Sequence, residues 1–311
     1  MTLRDPPDER SVEELLAFGV CNLDKPPGPT SHQVADWLKR LVNDAVEQAD
    51  GETTAPLLDR VAHTGTLDPK VTGSLPALFG DATRLAQVFA KSDKEYIAVL
   101  ELQGPPPSDF ETTLAEFEGD LYQKPPRKSA VRRQLRTRRI HDLELLELDG
   151  RQALLRVRCE AGTYIRKLCH DIGLALGTGA HMGDLRRSTT GQFDDSDLVT
   201  MEEFADALAF WAEDGDEQWI RDVVSPAEVA LRSLPRLIVA PSAAREIAEG
   251  APVYAPGVIG SEAAPLDGSE PTDGELIACF TPNGSAVCLG TLVGDPEAES
   301  GTVVELERVL V

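Results

Sequence analysis

The sequence predicts an α+β fold in two parts, a long first region built on a mixed, largely antiparallel sheet and a small β-barrel behind it. Three observations carry this prediction. Apolar residues recur with the 3,4 spacing of one helix face in several segments, and the strand-like runs between them meet at tight turns, which favours hairpins over a doubly wound sheet. From about residue 235 the chain breaks into short strand-like runs separated by Gly, Pro and Asp.

The elements follow in order. Ser11 followed by Glu14 makes a capping box for a short helix. Residues 22–30, NLDKPPGPT, form a proline-rich turn, after which Ser31 caps a helix whose apolar stripe is Val34, Trp37, Leu38, Leu41, Val42 and Ala45. A polar loop, QADGETTAPL, leads to the stretch HTGTLDPKVTG at 63–73. A short helix near 81–91 precedes a strand beginning at Tyr96, YIAVLELQG. Ser108 and Glu111 make a second capping box, for a helix carrying Phe110, Leu114 and Phe117 and stopped by Gly119. The strands IHDLELLEL and RQALLRVRCEA meet at Asp149 and Gly150, a pair that favours a two-residue hairpin. GTYIRKLCHDIGLALG reads as a turn into a helix, and 201–233 as helices around Trp211 and Trp219. Composition changes near LPRLIVAPS at 234–242; a short helix, SAAREIAEG, then introduces the strands APVYAPGVI, GELIACFTPNG, SAVCLGTLVG and GTVVELERVLV.

Composition narrows the function classes. The 311 residues can bury a sizeable core. The first residues, MTLRDPPDERSVEELL, are polar and acidic, unlike a signal peptide, and no apolar run approaches membrane-spanning length, so a cytoplasmic protein without membrane association is expected. Five cysteines form no CxxC pair and match no zinc spacing with the five histidines, which predicts buried free thiols and no metal. GxxxxGK[ST], HExxH and GxSxG are absent, and Gly177, Gly179 and Gly183 have the wrong spacing for a dinucleotide fingerprint.

Charge carries two messages. Fifty-three acids against 30 bases leave a net charge of −23, and the acid-rich, lysine-poor balance resembles that of a halophile's proteins. Such an excess repels polyanions at ordinary ionic strength. Yet from 124 to 139, KPPRKSAVRRQLRTRR carries eight cations and no acid. Lys124, Arg127, Lys128, Arg132, Arg133, Arg136, Arg138 and Arg139 therefore predict a phosphate-backbone contact, with arginines suited to bidentate pairing.

Within HTGTLDPKVTG, Asp68 before Pro69 reads equally well as a turn residue or a catalyst, because Asp-Pro starts turns and the glycines supply unusual backbone angles. Its company decides. LDKPPGPTSHQV, HTGTLDPKVTGSLP, KEYIAVL, the arginine run, EAGTYIRKLCHDIGLALGTGAHMGDLRR and STTGQF, spread from about Leu23 to Gly191, resemble the TruB/dyskerin pseudouridine synthases, and within them the archaeal enzymes of H/ACA ribonucleoproteins. The tail is similar to the PUA domain that follows the catalytic domain in that family.

The resemblance implies a pseudouridine synthase catalytic domain over 1–234, with a 1–20 extension packing on a PUA-like RNA-binding domain at 235–311. It implies isomerisation of uridine within RNA, without a cofactor, on a base flipped out of its stack. Asp68 falls on the family's catalytic position, Arg166 on the residue that pairs with that aspartate, and Tyr96 on the ring that stacks on the target base. His63 falls on the residue that fills the vacated space, and Lys25 and Leu185 on pocket positions. Substrates would be tRNA, at uridine-55 of the T-loop, and rRNA directed by an H/ACA guide RNA with small partner proteins. A non-catalytic ribonucleoprotein scaffold is the rival reading, but a scaffold has no need of Asp68, Tyr96 and Arg166 together. A two-carboxylate hydrolase lacks its second acid. The tail is a departure: residues 236–311 hold three arginines, no lysine and twelve acids, an odd balance for an RNA-gripping domain.

Overall fold

The computed structural model describes residues 3–49, 57–125 and 132–311. A 3-10 turn leads into α1 (Val12–Ala17), and the expected capping box forms: Ser11 Oγ accepts from the Glu14 N–H at 3.2 Å while the Glu14 carboxylate accepts from the Ser11 N–H at 3.0 Å. Strand β1 (Gly19–Lys25) is almost wholly buried. For α2 (Ser31–Gln48) the cap moves by one residue, from Ser31 to Thr30. Three residues beyond Thr30 stands Gln33, whose amide oxygen reaches back to the Thr30 N–H; three beyond Ser31 stands Val34, which cannot. Val34, Leu38, Val42 and Ala45 are buried as the stripe requires, whereas Trp37 remains exposed.

Next come β2 (Val61–His63), β3 (Thr72–Phe79), a 3-10 segment over Gly80–Leu85, α3 (Ala86–Ala90) and β4 (Lys94–Leu102). Helix α4 (Phe110–Ala115) buries Phe110 and Leu114, but its capping box does not form. The Phe110 N–H donates to the Pro107 carbonyl at 3.2 Å, so the proline-rich approach starts the helix in place of the Ser108 hydroxyl. Gly119, at φ +104°, ends that turn and opens β5 (Gly119–Gln123). Strand β6 (Arg136–Asp149) begins four residues before the expected Ile140, because β5 pairs with it from Gly119↔Ile140 to Gln123↔Arg136. The hairpin to β7 (Gln152–Cys159) turns at Gly150 and Arg151, with Gly150 at φ +57°.

The first region is completed by α5 (Ile165–Ala175), β8 (Ala180–Thr190), α6 (Met201–Asp214), α7 (Gln218–Val223) and β9 (Ser225–Pro226). Its sheet runs β5-β6-β7-β4-β8-β3-β1-β9, with β2 added on β3. Every neighbouring pair is antiparallel except β3 and β8, which run parallel over Thr72↔Arg186 and Gly73↔Arg187. The close approach there needs glycine: a Cβ on Gly73 would lie 2.2 Å from the Arg187 carbonyl oxygen, at φ +96°.

The tail contains β10 (Arg236–Val239), α8 (Pro241–Ala248), β11 (Val253–Tyr254), β12 (Val258–Glu262), β13 (Leu276–Phe280), β14 (Ala286–Leu292) and β15 (Thr302–Val309). They form a second mixed sheet, ordered β11-β15-β14-β13-β10-β12, in which β10 and β13 alone run parallel among the described strands. LPRLIVAPS thus contributes a strand that its composition did not announce. APVYAPGVI is split into two strands by a 3-10 turn at Ala255–Gly257, where Pro256 cannot donate to a ladder.

The two sheets share a core in which Phe18, Val20, Leu78 and Leu85 pack with Phe280, Leu289 and Leu310. The N-terminal segment stitches them further. Buried Arg10 grips Glu228 through two bonds of 2.6 and 2.8 Å, and Glu228 also accepts the Ala286 N–H at 3.2 Å. Arg4 donates to the Leu310 carbonyl at 3.0 Å and to Asp81 at 2.8 Å, with its guanidinium 4.3 Å from the Phe18 ring centroid. All five cysteines are buried free thiols.

Candidate active site

Asp68 stands in the turn between β2 and β3, and neighbouring segments fix the backbone of that turn. The Val71 N–H closes it on the Asp68 carbonyl at 3.0 Å, and the Gly28 N–H donates to the Pro69 carbonyl at 2.8 Å. Ser31, one residue into α2, accepts from the Leu67 N–H at 2.9 Å. The Lys25 ammonium donates to the carbonyls of Pro26 (2.9 Å), Pro69 (3.0 Å) and Val71 (2.9 Å). Held this way, the backbone is rigid while the Asp68 side chain keeps 54% of its surface exposed. NLDKPPGPT is therefore a brace, and the turn and catalyst readings of Asp68 describe the same loop.

Lys25 is fully buried, and burial lowers its pKa. Its three donors meet three carbonyls, so it has none to spare for a substrate.

Arg166 reaches Asp68 from the first turn of α5, and the two form an ion pair across a sequence separation of 98 residues. A cation at the electropositive end of a helix opposes the helix dipole, so the position favours the pair at some cost to the helix. The helix start is fixed by Gln123 at the end of β5: its amide oxygen accepts from the Tyr164 N–H at 2.8 Å and its amide nitrogen donates to the Tyr164 carbonyl at 3.3 Å. Gln123 does the work of a cap where Tyr164 offers no capping side chain.

The other wall is the β4–β8 ladder. Tyr96 lies opposite Arg187, and Ala98 opposite Leu185, so period-2 alternation puts Tyr96, Leu185 and Arg187 on one face. The half-buried Tyr96 has its hydroxyl beside the Arg187 guanidinium; burial raises the phenol pKa and the arginine opposes that rise, so the ring stays neutral. Leu185 is buried in the main core. His63, on β2, packs against His32 with ring centroids 4.8 Å apart, and neither of its ring nitrogens has a hydrogen-bond partner among the described residues. Its pKa falls to about 4, first through burial and then through the nearby His32 and Arg187 charges. His63 is therefore a neutral ring at the edge of the loop.

Arg187 itself had no assigned role in the sequence. The available signal was its place two residues after Leu185 in a strand, which turns a cation inward. Arginines elsewhere behave differently. Arg127 and Lys128 lie outside the described residues. Arg132 and Arg133 are exposed in coil, with Arg133 donating to the Pro125 carbonyl at 3.1 Å. Arg136, Arg138 and Arg139 sit on β6, so alternation splits them: Arg139 meets Asp120 at 3.4 Å, while Arg138 lies against Gly162 in the turn before α5. Among the described residues no group of three or more His, Cys, Asp or Glu side chains is placed to hold a metal. No helix among them is long and apolar enough to cross a membrane.

A mixed sheet that presents a loop aspartate to a helix-borne arginine, beside a neutral tyrosine and ahead of a small second sheet, defines the class of TruB-type pseudouridine synthases. The chain belongs to the TruB family. The model of the TruB family pseudouridylate synthase N-terminal domain matches residues 55–106 and 103–165, that of the tRNA pseudouridylate synthase B C-terminal domain matches 166–232, and the DKCLD (NUC011) domain matches 5–35. A probable tRNA pseudouridine synthase B of Haloarcula marismortui is 62% identical over all of this chain and 94% of its own length. Its counterpart in Methanopyrus kandleri is 44% identical over 98% of this chain and 86% of its own. Among solved structures, a Cbf5-Nop10-Gar1 complex contains a chain 41% identical, with TM-score 0.87, covering 99% of this chain and 90% of that one. An H/ACA RNP bound to a substrate RNA containing 2′-deoxyuridine contains one 39% identical, with TM-score 0.86, covering 99% and 90%.

Proposed function

We propose that the chain isomerises uridine to pseudouridine within RNA, with Asp68 as the attacking carboxylate. The N1–C1′ bond breaks, the base turns, and C5 bonds to C1′; the C5 proton is lost and N1 gains one, so no electrons enter or leave. The observation that carries the reading is the Asp68–Arg166 pair, which holds an exposed carboxylate on a braced loop. A carboxylate so held can attack the nucleoside and be released again. Arg166 orients it, Tyr96 supplies a neutral ring for the flipped base, and His63 stands ready to fill the space the base leaves. Leu185 lines the same face of the ladder. Flipping costs roughly a few kcal/mol, and Arg132, Arg133, Arg136, Arg138 and Arg139, with Arg127 and Lys128, supply phosphate contacts that offset it.

The substrates are tRNA at uridine-55 and rRNA selected by an H/ACA guide. The halophilic relative named probable tRNA pseudouridine synthase B supports the first. The neighbours in complexes titled Cbf5-Nop10-Gar1 and H/ACA RNP support the second, together with small protein partners of that kind. The working division is a catalytic domain over 1–234 and a PUA-like RNA-binding domain over 235–311, with residues 1–20 bridging them, in a cytoplasmic protein. Keeping Asp68, Tyr96 and Arg166 together weighs against a scaffold without activity. In molar KCl, Asp68→Asn is expected to fold and bind RNA yet form no pseudouridine in unmodified tRNA or in guide-directed rRNA. Turnover by that variant would remove Asp68 from the chemistry.

A further inference from the structure

We infer that Arg187 is a positioning residue: it sets the Tyr96 ring against the loop that carries Asp68. This rests on the reading of Asp68 and Tyr96 given above. Arg187 is 2% exposed, yet no carboxylate among the described residues pairs with it. It donates to two neutral carbonyls on two segments, with a third neutral oxygen beside it on another. Nε donates to the Ser74 carbonyl of β3 at 2.8 Å and Nη2 donates to the Gly65 carbonyl of the Asp68 loop at 3.2 Å, while Tyr96 of β4 stands opposite Arg187 in the ladder with its hydroxyl beside the guanidinium.

Burying a cation without a counter-charge is expensive. The neighbourhood bears the cost, since the Arg187 charge also helps to lower the pKa values of His63 and Lys94. An arginine that served only to join strands could be replaced by an apolar side chain at lower cost. What the charge and fork geometry add is a rigid link between the ring that meets the base and the loop three residues ahead of the carboxylate. Gly65 fits this link closely, for a Cβ there would stand 3.2 Å from Arg187 Nη1 and meet nothing else. The backbone at Gly65 is not in the left-handed region, so alanine strains the guanidinium and not the chain.

The experiment compares Arg187→Lys, Gly65→Ala and each combined with Tyr96→Phe, using single-turnover pseudouridine formation and RNA affinity, with circular dichroism for the fold. Arg187→Lys and Gly65→Ala are expected to lower the single-turnover rate about tenfold or more while RNA affinity stays within about twofold, because a misplaced ring impairs the reacting geometry and not the grip on RNA. On the Tyr96→Phe background, where the hydroxyl link is already gone, each should cost about threefold or less. Equal losses in both backgrounds, or a folded Arg187→Lys variant with the wild-type rate, overturn the inference. If Arg187→Lys does not fold, Gly65→Ala decides alone, and an unchanged rate there rejects the link. Wild-type protein that forms no pseudouridine would reject the underlying reading instead.

Discussion

Lys25→Met isolates the brace beneath Asp68. Methionine keeps most of the side-chain length and deletes the ammonium, leaving three carbonyls to find other donors. Pro69 O keeps the Gly28 N–H, so the loss falls on Val71 O, which is buried, and Pro26 O, which is partly so. An unpaired buried acceptor costs about 1–3 kcal/mol and a lost bond that water can replace about 0.5–1.5 kcal/mol. Relief from burying an ammonium, visible in the lowered Lys25 pKa, offsets part of that sum. The net expectation is a destabilisation of about 1–3 kcal/mol, with a fall in the pseudouridine rate of about tenfold or more as Asp68 loses its fixed position. Denaturant unfolding in molar KCl reads the first and single-turnover kinetics the second. If the variant kept wild-type stability and rate, the brace would be rejected. If it kept stability but lost RNA affinity severalfold, the ammonium would face the substrate, as the pocket position implied by the family resemblance has it.

Two other perturbations probe the frame. Arg10→Met leaves the buried Glu228 carboxylate with the Ala286 N–H as its one remaining hydrogen-bond donor among the described residues, which should cost about 3–5 kcal/mol; a variant that unfolds at the wild-type denaturant concentration would mean the clip between the two sheets is idle. His63 contributes a pH dependence with a definite sign. Its folded pKa of about 4 lies below the ordinary histidine value of 6.5, so between these values the unfolded chain binds a proton that the folded chain refuses. Stability should therefore fall as pH drops from 6.5 towards 4, and His63→Gln should flatten that part of the profile. An identical slope in the variant would assign the dependence to other groups.

How much of this was readable from the residues depended on whether the signal was local. The Ser11–Glu14 box and the hairpin after β6 involve neighbours in sequence, and both form, the hairpin turning one residue later than expected, at Gly150 and Arg151, because Asp149 pairs with Gln152. The Ser108–Glu111 box has the same spelling and fails, because a proline carbonyl one residue earlier takes the first helical N–H. Spelling also singled out Asp68, Arg166 and Tyr96 as candidates, but only through family resemblance. The contacts of Lys25 and Arg187 were illegible for a different reason. Each is a cation whose partners are backbone carbonyls on distant segments, and backbone oxygens leave no trace in a sequence. Gln123, which caps α5 from 41 residues away, was missed on the same ground.

The arginine run shows why net charge is a poor guide to the candidate phosphate contacts. The protein carries −23 overall, yet two of its eight lysines, Lys25 and Lys94, are buried struts that give solvent nothing. Lys94 donates to Phe89 O at 2.7 Å and Ser92 O at 2.5 Å, much as Lys25 does to its three carbonyls. The cations left for phosphate are therefore mostly arginines, whose flat fork can hold a phosphate bidentately where high salt weakens point charges. Strand β6 then does what a loop could not. By putting Arg138 beside Gly162, in the turn that starts α5, it brings the end of the run to the same turn that launches Arg166 towards Asp68. Strand geometry thus joins the candidate phosphate contacts to the candidate chemistry through a few residues.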